Sequence, residues 1–332
     1  MITVLLAVLL FFMMIFPHEL GHFVAAKALD VKVNEFAFGM GPALWRKQKG
    51  ETLYSIRIFP IGGYNAIEGE NSDSDDARAF GTKPAWIKIV ILIAGSMMNF
   101  IVAFIVLSIA LTIIGSPLKE VGTLMDGGPA ETAGIRKGDV VISVDDEKIE
   151  NWNALTREIR NNNHEMTFKV DRNGKLMEFK IKPVKKDGNN LVGISPAVSH
   201  NPIRGIASGA IMTGKMTISL FDILGKLLSG GIKTNNLSGP VGIVSVVHQS
   251  ESYGWYFFCY LLSFISINMA IFNLLPFPAL DGGRILFVII RRVTGKAISD
   301  KTEAAVHAVG MLLLFGLMIY VTWNDVLRIF FN

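Results

Sequence analysis

Pro17-His18-Glu19-Leu20-Gly21-His22 sits inside a nearly unbroken apolar run from Ile2 to about Ala28. That combination decides how the rest of the chain is read. The run is long enough to cross a bilayer, which takes about 20 apolar residues. Histidines four apart on a helix share a face, because four residues advance about 400°. Their imidazoles can therefore grip one metal ion. Glu19, about 100° round, reaches the water such an ion would hold. A bare H-E-x-x-H also suits a polar stripe packing helix against helix. The setting favours the metal, since each ionisable group at membrane depth costs about 2.5–3.5 kcal/mol and three together need a compensating partner. Pro17 should loosen the helix just ahead of the first histidine.

Composition agrees with a membrane chain. Of 332 residues, 51% are hydrophobic and 18% charged, with a mean hydropathy of +0.42. The net charge of +4 is modest and no basic cluster is interleaved with aromatics, so nucleic acid is not an expected partner. One cysteine, Cys259, excludes an intrachain disulfide framework and a Cys-based zinc site. The N-terminal run lacks a basic n-region and an A-x-A-like cleavage site. It reads as a retained transmembrane helix.

Outward from this run, residues 1–117 form an expected N-terminal membrane part. Phe38–Pro42 reads as a turn-rich entry, Lys49-Gly50 as a hairpin turn, and Glu51–Pro60 alternates as a half-exposed strand that Gly62-Gly63 ends. The acidic stretch Glu68–Asp76 reads as a solvated connector. Trp86 to about Ile114 is a second span, with Gly95, Ser96 and Asn99 offering close helix packing. Residues 118–186 change character to a small α+β domain. It has a helix at Trp152–Asn161 and strands at Met166–Val170 and Lys175–Ile181, joined by Asn173-Gly174. Its Pro129-Ala130…Ala133-Gly134-Ile135…Gly138-Asp139 pattern resembles a PDZ domain, a family that binds peptides by strand addition. By that resemblance Val121, Gly122, Thr123 and Leu124 would form the peptide groove. Residues 187–250 read as a linker with an amphipathic helix on the membrane surface at Ile203–Ile232, the alternative being a soluble segment. Residues 251–332 supply a third span, Tyr253–Leu275, and a fourth, Ala304–Phe331. Between them the two prolines of Pro276-Phe277-Pro278 predict an extended stretch.

Four spans place both termini on one side. The loop Gly282–Glu303 holds Arg284, Arg291, Arg292, Lys296 and Lys301, and the loop between spans one and two is also basic. The positive-inside rule then sets both basic loops inside and both termini, with the PDZ-like part, outside. His18 lies about 24 Å along the first span at 1.5 Å per residue, and Asp281 follows the inner end of the third. They fall toward the same face. A catalytic zinc takes three protein ligands and an open position, and Asp281 is the best-placed third ligand. His307 is the rival, and capping the following helix is the bland alternative role for Asp281.

H-E-L-G-H in the first span with N-L-L-P-F-P-A-L-D-G-G after the third resembles the site-2 protease family of intramembrane zinc metalloproteases, in its PDZ-containing bacterial branch. The resemblance implies a polytopic α-helical membrane protein with a membrane-associated β-hairpin. It implies Zn2+ on His18, His22 and Asp281, and Glu19 as the catalytic glutamate. Asn273 would help hold substrate, and Gly62-Gly63-Tyr64 would close the hairpin. Pro17, Ser96 and Asn65-Ala66-Ile67 depart from the family pattern.

The activity so implied is hydrolysis of peptide bonds in transmembrane segments of membrane proteins. Substrates would be pre-trimmed by an outer-side protease, such as anti-sigma factors or remnant signal peptides, in a bacterial cell membrane. An edge strand at Leu53–Ile58, through Leu53, Tyr54, Ser55 and Ile56 and with Gly62 and Gly63 beyond it, could hold the unwound substrate, or could simply pack as a hairpin. Asn268 could bind substrate backbone or bridge helices. A non-catalytic membrane scaffold recruiting partners through the PDZ-like part is the rival reading. A zinc transporter is a third, but offers no evident second gate.

Overall fold

The computed structural model describes residues 2–70, 74–186, 188–231, 239–295 and 300–330. Residues 71–73 of the acidic connector, Ile232, Lys296 and Phe331, all used above, lie outside that set. Along the chain come α1 (Ile2–Ala28), the strands β1 (Val33–Lys49) and β2 (Thr52–Ile67), and α2 (Ala85–Ile114). Next are β3 (Ser116–Leu124), α3 (Pro129–Thr132), β4 (Val140–Val144), β5 (Glu147–Lys148) and α4 (Trp152–Asn161). Five strands follow: β6 (Met166–Arg172), β7 (Lys175–Ile181), β8 (Val184–Lys186), β9 (Asn189–Leu191) and β10 (Ile194–Ser199). The last helices are α5 (Pro202–Leu228), α6 (Pro240–Tyr253), α7 (Trp255–Asn273), α8 (Asp281–Thr294) and α9 (Asp300–Phe330). The chain divides into two compact units, Met1–Leu107 with Gly209–Asn332, and Ser108–Ser208.

Helices α1, α2, α7 and the Lys301–Arg328 part of α9 are each long and apolar enough to cross a membrane. This is the organisation of a polytopic membrane protein. Two glycines let α1 and α2 approach: a Cβ on Gly21 would strike the Ala94 carbonyl of α2, and one on Gly95 would occupy the place of His22 Nε2. Small residues thus let two backbones meet where van der Waals contact must replace a hydrophobic drive. Pro17 neither breaks nor ends α1, which runs through it with Pro17 buried.

The β1–β2 hairpin is longer than expected and doubles back. Phe38–Pro42 is strand, not turn, and Gly62-Gly63 lies within β2. Glu35, Phe36 and Ala37 each face two partners, Ala66 and Leu53, Asn65 and Tyr54, Tyr64 and Ser55. Residues 53–56 also face Gln48, Lys47, Arg46 and Trp45. The strand segments therefore lie side by side in the order 63–67, 33–38, 53–56, 45–48. Positive φ at Gly39 (83°) and Gly41 (85°) supplies the bend, which residues with a Cβ rarely adopt. The bent sheet lies along α1, with Phe38 edge-on to Phe12 at 4.8 Å and Phe36 beside Phe23 at 4.9 Å. Met40, Leu44, Trp45 and Phe59 at the far end are exposed.

Three further expectations change. The segment 187–250 holds more than a linker with one surface helix. The later part of α5 packs Met216 and Leu220 against Ala103 and Leu107 of α2 and Ile267 and Ile271 of α7. Helix α6, unforeseen, buries Val247 against Ala7 and Leu10 of α1, and Asp325 Oδ2 accepts its first amides from Gly239 and Gly242 at 2.8 and 2.7 Å. Pro276–Leu280 is a compact loop, not extended, and the presumed loop after it is helix α8. A Cβ on Gly282 or Gly283 would collide with the carbonyls of Leu274, Leu275 or Phe277, so the two glycines let the loop fold onto the first turn of α8.

The second unit is a small α+β body. Its sheet runs β10-β3-β4-β6-β7, with β5 paired to β4, so it takes in β10 beyond the expected limit at Lys186. Phe168, Leu155, Met166, Ile181 and Val121 are fully buried in its core. Asn151 caps α4 by accepting the Ala154 amide at 3.0 Å, and Asn173-Gly174, both at positive φ, turn the β6–β7 hairpin. Strand β3 has neighbours on both sides: Leu124 and Thr123 face β10, and Glu120 faces Val140 of β4. Val121 is thus paired on both sides, and Thr123 and Leu124 pair with β10. The cleft of about 380 Å³ lies between α4 (Trp152, Leu155, Ile159) and the Leu191–Ile194 approach to β10; of the expected groove residues, Thr123 and Leu124 line it and Val121 is buried in the core.

Candidate metal centre

Helix α1 presents His18 and His22 on one face, both buried, and the first residue of α8, Asp281, turns its carboxylate to them. Their ligand atoms lie within 4.8 Å of one another, and no other such group of His, Cys, Asp or Glu occurs among the described residues. Asp281 Oδ2 is 3.3 Å from each Nε2, and the two Nε2 atoms are 3.2 Å apart. Tetrahedral ligands about 2.0–2.1 Å from a zinc ion stand about 3.3–3.4 Å from each other, so the triangle has the right size.

Its electronics agree. His22 Nδ1 donates to the Ile91 carbonyl at 2.8 Å, which leaves Nε2 as a bare lone pair and is the usual outer partner of a metal-bound imidazole. That lone pair faces Asp281 Oδ2, which is buried with no hydrogen-bond donor. Acceptors converging this closely away from water are costly unless a cation joins them. The bare Gly95 backbone keeps the His22 ring's place open. The donor set fits zinc.

Glu19 points from α1 toward the last segment of β2. Asn65 Nδ2 donates to both the Glu19 backbone carbonyl (2.7 Å) and its Oε2 (2.8 Å). A Cβ on Gly63 would lie 3.3 Å from Glu19 Cγ, so the strand approaches the carboxylate without a side chain between them. Asn65 stands where the sequence departs from the family pattern, and nothing in its local sequence marked it. Asn273, ending α7, places Nδ2 3.2 Å from His18 Nε2, beside the triad. Asn268 is half-buried on α7, five residues earlier and about 140° round the helix, so it does not share Asn273's face. Leu53, Tyr54, Ser55 and Ile56 are paired on both sides; the expected edge strand there is an inner one. His307 is not part of the triad, because its Nδ1 accepts the Ala279 amide at 2.8 Å.

Part of the chain, 24% of its length, is similar to the PDZ domain of an SdrC-like protein from Listeria monocytogenes, at 18% identity, 85% coverage of that chain and a TM-score of 0.22. A Clostridium acetobutylicum protein named as a candidate zinc metalloprotease is 36% identical, covering 98% of this chain and 97% of its own. The regulator of sigma-W protease RasP of Bacillus subtilis is 30% identical, covering 99% of each chain. The zinc metalloprotease RasP of Bacillus licheniformis is 30% identical over the same shares. The model of Peptidase family M50 matches residues 6–317. With four membrane-length helices among the described residues and a zinc-sized triad of two buried histidines and a half-buried Asp281, the chain belongs to Peptidase family M50, the site-2 protease family, as a zinc metalloprotease of membranes.

Proposed function

We propose that His18, His22 and Asp281 hold the zinc and that Glu19 is the general base of peptide-bond hydrolysis inside the membrane. The observation that carries this is the 3.2–3.3 Å triangle of ligand atoms with Glu19 one residue from its first member. Zinc, when bound, supplies a Lewis acid that polarises the scissile carbonyl and acidifies water. Glu19 takes the proton of the attacking water and passes it to the leaving amine. Asn65 holds the Glu19 carboxylate toward the triad, and Asn273, beside His18, donates to the substrate carbonyl region.

A transmembrane substrate must unwind to expose a carbonyl. Residues 63–67 of β2 pair with β1 on one side only and carry Asn65 against Glu19, so an unwound substrate adds there as a strand. In the second unit, read as PDZ-like, a peptide adds along β10 over the α4 cleft. A photo-reactive substrate should cross-link at Tyr64–Ala66 and at Ile194–Ser199; cross-links confined to Leu53–Ile56 would sink this arrangement. The exposed apolar end of the hairpin rests in the bilayer. The basic residues of α8 and of the first connector set the triad toward the cytoplasm, with both termini and the second unit outside. A reporter fused after Asn332 that is active only in the cytoplasm would contradict that orientation. The substrates proposed are single-span proteins already shortened outside, anti-sigma factors or remnant signal peptides; of these, anti-sigma factors accord with the name regulator of sigma-W protease carried by the Bacillus subtilis relative.

The decisive assay is cleavage of a single-span substrate by the purified chain in lipid. Glu19→Gln should lower the rate by at least 10²-fold, the low end of general-base contributions. Cleavage at the wild-type rate would remove Glu19 from the mechanism.

A further inference from the structure

The loop that delivers Asp281 is held from the far end of the chain. Ala279, two residues ahead of Asp281, has φ +78°, a conformation L residues seldom adopt unless surroundings enforce it. Two neighbours on α9 do so. His307 Nδ1 accepts the Ala279 N–H at 2.8 Å, so the ring proton sits on Nε2, which is buried without a hydrogen-bond partner and lies 3.9 Å from Glu303. One turn on, Gly310 is bare where a Cβ would lie 2.5 Å from Pro278 Cβ and 2.6 Å from its carbonyl oxygen. The His307 ring also packs on Phe287 of α8 at 5.6 Å, and Glu303 accepts from Arg291 of α8 at 2.6 Å. The peptide before Asp281 and the helix after it are thus both fixed to α9.

We propose that His307 is a positioning residue of the metal centre: by accepting the Ala279 amide it sets the loop conformation that aims the Asp281 carboxylate at His18 and His22. This rests on the reading of Asp281 as a ligand. His307 touches neither substrate nor metal; it acts through the backbone of Ala279. The amide needs an acceptor where Nδ1 stands, which an asparagine Oδ1 can supply. A leucine cannot, and a glutamine places its oxygen nearer the Nε2 position.

The test is zinc retention by the full-length protein against a graded chelator, with thermal unfolding followed on the same samples. His307→Leu and His307→Gln should hold zinc roughly tenfold or more weakly, as loss of an outer partner of a metal ligand does, and His307→Asn should stay near wild type. Gly310→Ala, which pushes α9 off Pro278, should lose zinc like His307→Leu and serves if that variant folds poorly. Equal retention in the Leu and Asn variants, weak or strong, would overturn the proposal. So would weakened zinc that merely follows the loss of unfolding temperature in every variant. Asp281→Asn, run alongside, separates the two failures. If it retains zinc like wild type, the ligand reading fails; if it loses zinc while His307→Leu does not, only the positioning role fails.

Discussion

Asn65 gives Glu19 one donor for its carboxylate and another contact at its backbone, and a hydrogen bond to a charged group contributes about 1.5–3 kcal/mol. Asn65→Val removes the donor while leaving His18, His22 and Asp281 in place. Its turnover rate should fall about tenfold or more with zinc content unchanged, measured as initial cleavage rate beside metal analysis; an unaltered rate would show that Glu19 is aimed by something else. His18, Glu19 and His22 stand out because helical spacing is a local property, whereas Asp281, far along the chain, is reached only through span topology and the family resemblance. Asn65 does not stand out, since its role depends on β2 running on past Gly62-Gly63 to lie against α1. His307 illustrates the same limit: as a histidine near the inner face it suggested a metal ligand, and only the folded loop shows its Nδ1 spent on Ala279.

At the scale of elements, the second unit turns on Asp139, which is buried. Arg172 donates to both of its carboxylate oxygens at 2.7 Å and Arg136 N–H to one at 2.8 Å. Burial alone would raise the Asp139 pKa, but these donors outweigh it and hold the carboxyl below its usual value. A carboxyl depressed on folding contributes stability that is present above the unfolded pKa of about 3.9 and is lost as pH falls through the folded value. Amide protection factors in β4 and β6, corrected for the intrinsic exchange rate at each pH, should therefore fall below about pH 4. Asp139→Asn should lower the unit's stability at neutral pH by about 2–3 kcal/mol, because it leaves Arg172 half-satisfied, and should flatten that acid limb. An acid limb unchanged in Asp139→Asn would assign it to another group. The four membrane-length helices, α4 and the β6–β7 hairpin were readable from apolar length, an Asn cap and Asn-Gly. The doubled-back β1–β2 sheet was not, because two glycines that look like a turn act as bends within a strand. Helix α8 hid behind Pro276 and Pro278, whose loop is shaped by contacts with Gly282, Gly283 and α9.

For the molecule as a whole, the metal centre draws on helices from both ends of the sequence, with a separately packed unit between them in the chain. Apolar length and charge asymmetry gave the order of spans, but the way α5 and α6 pack on them carries almost no local pattern, being Gly-, Ser- and Thr-rich segments that bury only one side. The central claim is that one zinc is held jointly by α1 and α8. Its most direct test is zinc per chain, measured on wild type, Glu19→Gln and Asp281→Ala purified and dialysed side by side. About one zinc is expected in the first two, as three protein ligands predict, and a small fraction of that in Asp281→Ala. A full complement of zinc in Asp281→Ala would contradict the account.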